Sequence, residues 1–187
     1  MATDTGLSLA LLLALLGLHA LLSATRAALM NAHAPTLRAL SERGVRGAAR
    51  SLGLASEASR LLLSFGAIQY LVRLGALGCG LAAWYLATAE PRSLWTFAAA
   101  LAVLGAAAAA ARQLGESLAV RNPEKVSCVL SPLASAVVLA ARPFVALHGS
   151  LAGHPVGRRS GVVPPVVTEE EIKTLVDAGE EGGAIEV

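Results

Sequence analysis

Apolar residues run almost without interruption over residues 7–24, 67–88 and 94–111, and polar residues crowd between the first two of these stretches. Each stretch holds roughly 18 to 22 residues, enough at about 1.5 Å per residue to cross a ~30 Å hydrocarbon core. Arg73 is the one formal charge inside them. The pattern predicts an all-α membrane protein with three transmembrane helices. A fourth apolar segment, residues 126–141, is shorter, contains Pro132 and closes on Arg142–Pro143. It predicts a kinked juxtamembrane helix lying at the inner interface rather than another full crossing.

Composition narrows the class. A hydrophobic fraction of 55%, 15% charged residues and a mean hydropathy of +0.63 lie outside the soluble globular range. The 187 residues accommodate one membrane domain and a short tail. Met1 to Gly6 carry Asp4 and no basic residue, so the first stretch reads as a retained helix and not as a secretory signal. Cys79 and Cys128 sit in apolar sequence and read as packing residues.

Charge then orients the chain. The segment between the first two stretches holds Arg26, Arg38, Arg43, Arg46, Arg50 and Arg60 against Glu42 and Glu57. The positive-inside rule places that segment in the cytoplasm, so the N-terminus is expected outside and the C-terminus inside, in a multi-pass protein of the cell (inner) membrane. Trp84, Tyr85 and Trp95 flank the short external turn that this threading requires, where an interfacial aromatic belt belongs. Small residues in the third stretch, from Gly105 to Ala111, and Gly75, Gly78 and Gly80 in the second, fit either a helix-packing or dimer face or plain helix propensity.

Two domains are expected: a membrane domain over residues 1–152, and a linker with a short acidic cytoplasmic helix over residues 153–187. Residues 153–165 are rich in Gly and Pro. Thr168 and Glu171 then form a capping box, ahead of an apolar stripe of Ile172, Leu175 and Val176.

Three motifs carry a family resemblance. The run Ser117-Leu-Ala-Val-Arg-Asn-Pro-Glu-Lys-Val126, the acidic run Val167-Thr-Glu-Glu-Glu-Ile-Lys-Thr-Leu-Val176, and the segment Leu22-Ser-Ala-Thr-Arg-Ala-Ala-Leu29 resemble CNNM/CorC-type (hemolysin-like) magnesium transporters. The resemblance covers about residues 6 to 187. It implies a homodimer formed through transmembrane helices, with Mg²⁺ as the transported ion, and an acidic helix that in the family leads to paired CBS domains. The 187 residues stop before such domains, so the reading is of a degenerate membrane domain lacking them.

A Mg²⁺ site needs about six hard oxygen ligands, usually including carboxylate. The resemblance implies Ser23 as a ligand by motif and Gln69 more loosely, with Ser64 about one turn before it and Glu116 as a carboxylate. Two departures alter that site. Where the family's first-span signature has Glu followed by Thr, this chain has Arg26 and Ala27; where the family has Gly-Glu-x-x-Pro-Lys, it has Ala111-Arg112 onward, with a Gly-Glu pair one turn later at Gly115–Glu116. Arg73 adds a third cation and reads either as a functional charge or as a side chain snorkelling to the headgroups. Arg26, Arg73 and Arg112, expected at similar depth, oppose a divalent cation. The expected function is therefore that of a divalent-cation transporter membrane domain with an altered ion site. The alternative is a non-transporting structural or regulatory partner of a complete transporter.

His19, four residues before Ser23, reads either as a packed neutral histidine or as a cavity-lining group. His33, His148 and His154 lack zinc-site spacing. No catalytic constellation or phosphate loop occurs, so neither an enzyme nor a cofactor is expected. The arginine-rich segment is an orientation signal and a contact with the lipid bilayer, and no nucleic-acid partner is expected.

Overall fold

A computed structural model describes residues 2–88 and 93–151, all in the first of the chain's two units, Met1–Val156. Among the described residues the secondary structure is helical: α1 Ala2–Asn31, α2 Ala34–Glu42, α3 Ala48–Ser56, α4 Ala58–Ala87, α5 Leu94–Val120, α6 Pro123–Ala140 and α7 Arg142–Leu151. The expected acidic helix at Thr168 lies outside the described residues.

The three expected spans are α1, α4 and α5, with 30, 30 and 27 residues. Each outruns its apolar stretch, because buried side chains continue past it. Thr25, Ala28 and Leu29 are buried beyond the end of the first stretch, and Leu61, Ser64 and Phe65 before the start of the second. Arg26 is consequently an α1 residue. The arginine-rich segment is not an irregular loop but is mostly built into α1, α2, α3 and the start of α4.

Local chemistry sets the helix ends. Pro35 and Pro123 stand in the first turns of α2 and α6, where a missing N–H costs nothing. Ser93 caps α5, its Oγ accepting from the Thr96 N–H at 3.2 Å. Across the α4–α5 turn, Trp84 and Phe97 meet edge to face at 5.9 Å between ring centroids.

Helix α1 is the hub, packing against α4, α5 and α6. Close approach to α5 depends on Gly115, whose Cα lies against the backbone carbonyl of Ala20 with no room for a Cβ. In lipid such contacts replace the hydrophobic effect as the source of helix association. Helix α5 is otherwise largely exposed along its apolar length.

Helix α6 runs unbroken for 18 residues through Pro132, which makes it long and apolar enough to count as a fourth candidate span beside the three expected. Pro132 leaves the Cys128 carbonyl without its helical donor. The Ser131 hydroxyl donates to that carbonyl at 3.0 Å, and Gly47, in the left-handed region at φ +87°, packs directly on it. At this end Cys128 joins Leu37 and Ala48 in a small core with α2 and α3. Further along, Ala134 and Val137 join Leu22 and Leu29 of α1 and Leu61 and Phe65 of α4 in the main core.

Candidate functional site

Inside the bundle, α1 and α4 run antiparallel and meet through polar groups. Gln69 Nε2 donates to Ser23 Oγ at 3.1 Å, and Ser23 Oγ donates in turn to the His19 carbonyl at 2.9 Å. Both side chains are buried. Thr25 Oγ1 donates to the Leu21 carbonyl at 2.7 Å. Such internal partners are what a polar side chain needs where water is scarce.

The Ser23–Gln69 bond fixes a register. One turn away from it on each antiparallel helix lie His19 and Arg73, which therefore share a level. Two turns away on α1, Leu15 stands 3.4 Å from where a Cβ on Gly75 would sit, so the register holds. Helices α4 and α5 are also antiparallel, with Gly80 packed on Leu104. Seven residues on from that contact in each helix are Arg73 and Ala111, which brings Arg112 to the same level. His19, Arg73 and Arg112 thus fall at one level on three helices that pack against one another.

Arg26 starts elsewhere. It lies seven residues beyond His19 on α1, about 10 Å along the axis. Its side chain ends on Glu116, with Nη2 donating to Oε1 at 2.8 Å. Arg112 Nε donates to the same oxygen at 2.9 Å, one helical turn away within α5. One carboxylate oxygen is thereby held by two guanidinium groups, each drawn from a position where the resemblance led one to expect an acid. Three arginines at a single depth were expected; two share the level and the third rises to it through Glu116.

The four residues singled out as metal candidates differ in what engages them. Ser23 and Gln69 are joined directly, Ser64 is buried with no hydrogen-bond partner, and Glu116 is engaged by arginines. Among the described residues no three His, Cys, Asp or Glu side chains come together. His19 is only 1% exposed, and neither ring nitrogen has a hydrogen-bond partner. The Nε of Arg73 is likewise buried without one, while its guanidinium carbon stands 5.8 Å from the Tyr70 ring centroid. Sequence reading placed His19 near Ser23 but could not pair it with Arg73. The four-residue spacings 19/23 and 69/73, mirrored on antiparallel helices, held that information once one bond between them was known.

A comparison with family models gives one match, the CNNM cyclin M transmembrane N-terminal domain, over residues 10–187. A comparison with curated proteins gives no match. The matched region contains α4 to α7 and all of α1 from its third turn onward, and with it every residue of the polar layers described above. The chain belongs to the CNNM transmembrane-domain family.

Proposed function

We propose that this chain keeps the CNNM membrane scaffold but has an altered ion site that does not carry Mg²⁺, and that it acts in the membrane as a structural or regulatory partner. The observation that carries this reading is the clamp of Arg26 and Arg112 on Glu116. A carboxylate held by two guanidinium groups has no charge left to compensate a divalent cation. Arg73, for which no carboxylate partner occurs among the described residues, adds an uncompensated charge. At an effective dielectric of ~20, a divalent ion ~6 Å from one such guanidinium is opposed by about 5 kcal/mol. Millimolar affinity is worth only about 4 kcal/mol, so repulsion outweighs the binding a carrier would need.

The threading that accompanies this proposal is N-terminus out and C-terminus in, at the cell membrane. Exposed Arg43, Arg46 and Arg50 on and around α2 and α3 support it, as do exposed Trp95 and Tyr85 at the other end of the bundle. Helix α6 starts beside these arginine-bearing helices, and its buried Ala134 and Val137 share a cluster with Leu22 and Leu29 in the later part of α1, which favours an inner juxtamembrane position. The exposed length of α5, rich in Ala and Gly, is the face proposed for homodimerisation.

The test is Mg²⁺ flux into proteoliposomes containing the intact protein and an internal Mg²⁺-sensitive dye. The expected result is a rate equal to that of protein-free vesicles. Mg²⁺ uptake that Ser23→Ala abolishes would overturn the proposal.

A further inference from the structure

The layer of His19, Arg73 and Arg112 is rich in donors and holds no anionic acceptor of its own. A neutral imidazole carries one N–H beside one acceptor nitrogen, and a guanidinium offers donors only. His19 is buried with both nitrogens unpartnered, and Arg73 has a buried, unpartnered Nε. The nearest acid, Glu116, already accepts from Arg26 and Arg112. What this layer lacks is an acceptor with several oxygens and negative charge. Arginine's planar fork suits phosphate in particular, because it presents parallel N–H groups to two oxygens at once.

The position of the layer agrees with that chemistry. Arg73 lies 15 residues before Thr88, and Arg112 lies 19 residues after Ser93, so the layer is roughly 22–28 Å along the helices from the α4–α5 turn. In a bilayer with a ~30 Å core this is close to the opposite headgroup boundary. Groups at the edge of the layer reach the surface. Tyr70, beneath the Arg73 guanidinium, is 66% exposed at the surface of α4, and the Arg112 side chain is 46% exposed.

We infer that His19, Arg73 and Arg112 form a binding site for a phosphate-type oxyanion, presented by the headgroup of an anionic phospholipid or as free phosphate. This deepens the proposed function, resting on it for the view that the layer repels cations, and it supplies the altered site with a ligand of the opposite charge.

The experiment uses the full chain in nanodiscs of phosphatidylcholine with and without phosphatidic acid, whose headgroup is a phosphate monoester. Retained lipid is read by native mass spectrometry. In phosphatidylcholine alone, inorganic phosphate is titrated against chloride at equal ionic strength, and the melting temperature is followed. Selective retention of phosphatidic acid identifies the lipid source; a rise in melting temperature with phosphate but not chloride identifies the free anion. Either effect is expected to weaken about tenfold or more in Arg73→Gln and in His19→Leu, since each removes a charge-assisted or buried donor. Arg46→Gln, on the exposed segment before α3, is expected to leave it unchanged. Arg73→Lys keeps the charge without the fork and is expected to fall between, which guards against a variant that fails to fold. Binding of neither source by the unsubstituted protein, or binding that Arg73→Gln and His19→Leu both leave intact, overturns the inference. Mg²⁺ flux in the same preparation reads the proposed function separately: flux with phosphate binding defeats only that reading, and absence of both defeats only this inference.

Discussion

Gln69 reaches across from α4 to donate its amide N–H to Ser23 on α1 at 3.1 Å, and this buried bond sets the level of the polar groups on either side of it. Because Ser23 also donates to the His19 carbonyl, its hydroxyl is used in both directions. The pair is a structural tie in this arrangement. A double-mutant cycle with Ser23→Ala and Gln69→Leu is expected to give a coupling of about 0.6 kcal/mol and no more than about 1.7, the range of interhelical hydrogen bonds in membranes. Unfolding by SDS in mixed micelles measures it.

Glu116 is shared by two arginines, so its loss should cost more than the loss of either partner. Glu116→Gln leaves two guanidinium groups sharing a neutral amide and is expected to destabilise the fold by about 1–3 kcal/mol, reduced from the fully buried case because all three side chains are partly exposed. Arg26→Gln, with Arg112 still in place, is expected to cost about 1 kcal/mol or less. The same unfolding assay ranks them, and a reversed ranking would refute the clamp.

Gly115 and Gly105 offer a matched comparison on one helix. A Cβ at Gly115 would run into the Ala20 backbone, whereas nothing lies within 4 Å of one at Gly105. Gly115→Ala is expected to lower the melting temperature by several degrees, corresponding to an overpacking cost of about 1–3 kcal/mol. Gly105→Ala should leave the melting temperature unchanged or raise it slightly, since alanine is the better helix former.

Gly47 is constrained twice, by its φ of +87° and by contact with the Cys128 carbonyl. Gly44 has a similar φ of +73° with open space around it. Substituting alanine at each separates the two effects. Gly44→Ala is expected to cost about 1 kcal/mol from the left-handed backbone alone. Gly47→Ala should cost distinctly more and loosen α2 and α3 from α6, visible as faster amide exchange in residues 34–56.

Orientation is open to direct labelling. In a background with Cys79 and Cys128 replaced by alanine, Arg43→Cys is expected to react with a membrane-impermeant maleimide only after the cytoplasmic side is exposed, and Trp95→Cys from the outside of intact cells. Both positions are solvent-accessible in the fold. The opposite pattern would invert the threading.

Much of the helical framework could be read from the pattern of apolar residues, because a span must be long, apolar and almost uncharged. The extent of α1 and α4 could not. The end of α1 and the start of α4 carry Arg26, Arg60 and small residues that look like loop, and only the packing of Leu29 and Leu61 against α6 shows them to be core. Helix α6 was expected as a helix through Pro132, but its support was not legible: Ser131 and Gly47 together accommodate the carbonyl that Pro132 leaves free. At the site, sequence supplied the residues and the charge anomaly at Arg26 and Arg112. It could not show that both arginines converge on Glu116, since a side chain as long as arginine reaches over more than a full turn.

The clamp also has a consequence in time. Glu116 lies ninety residues after Arg26 in the chain. At about 5–20 residues per second, a ribosome needs roughly 5–20 s to deliver the acid after the base has been made. Through that interval the Arg26 side chain, near the C-terminal end of α1, is without the carboxylate that holds it in the finished bundle. The same bond that closes the finished bundle therefore sets a waiting period in its biosynthesis, one that ends only when α5 arrives.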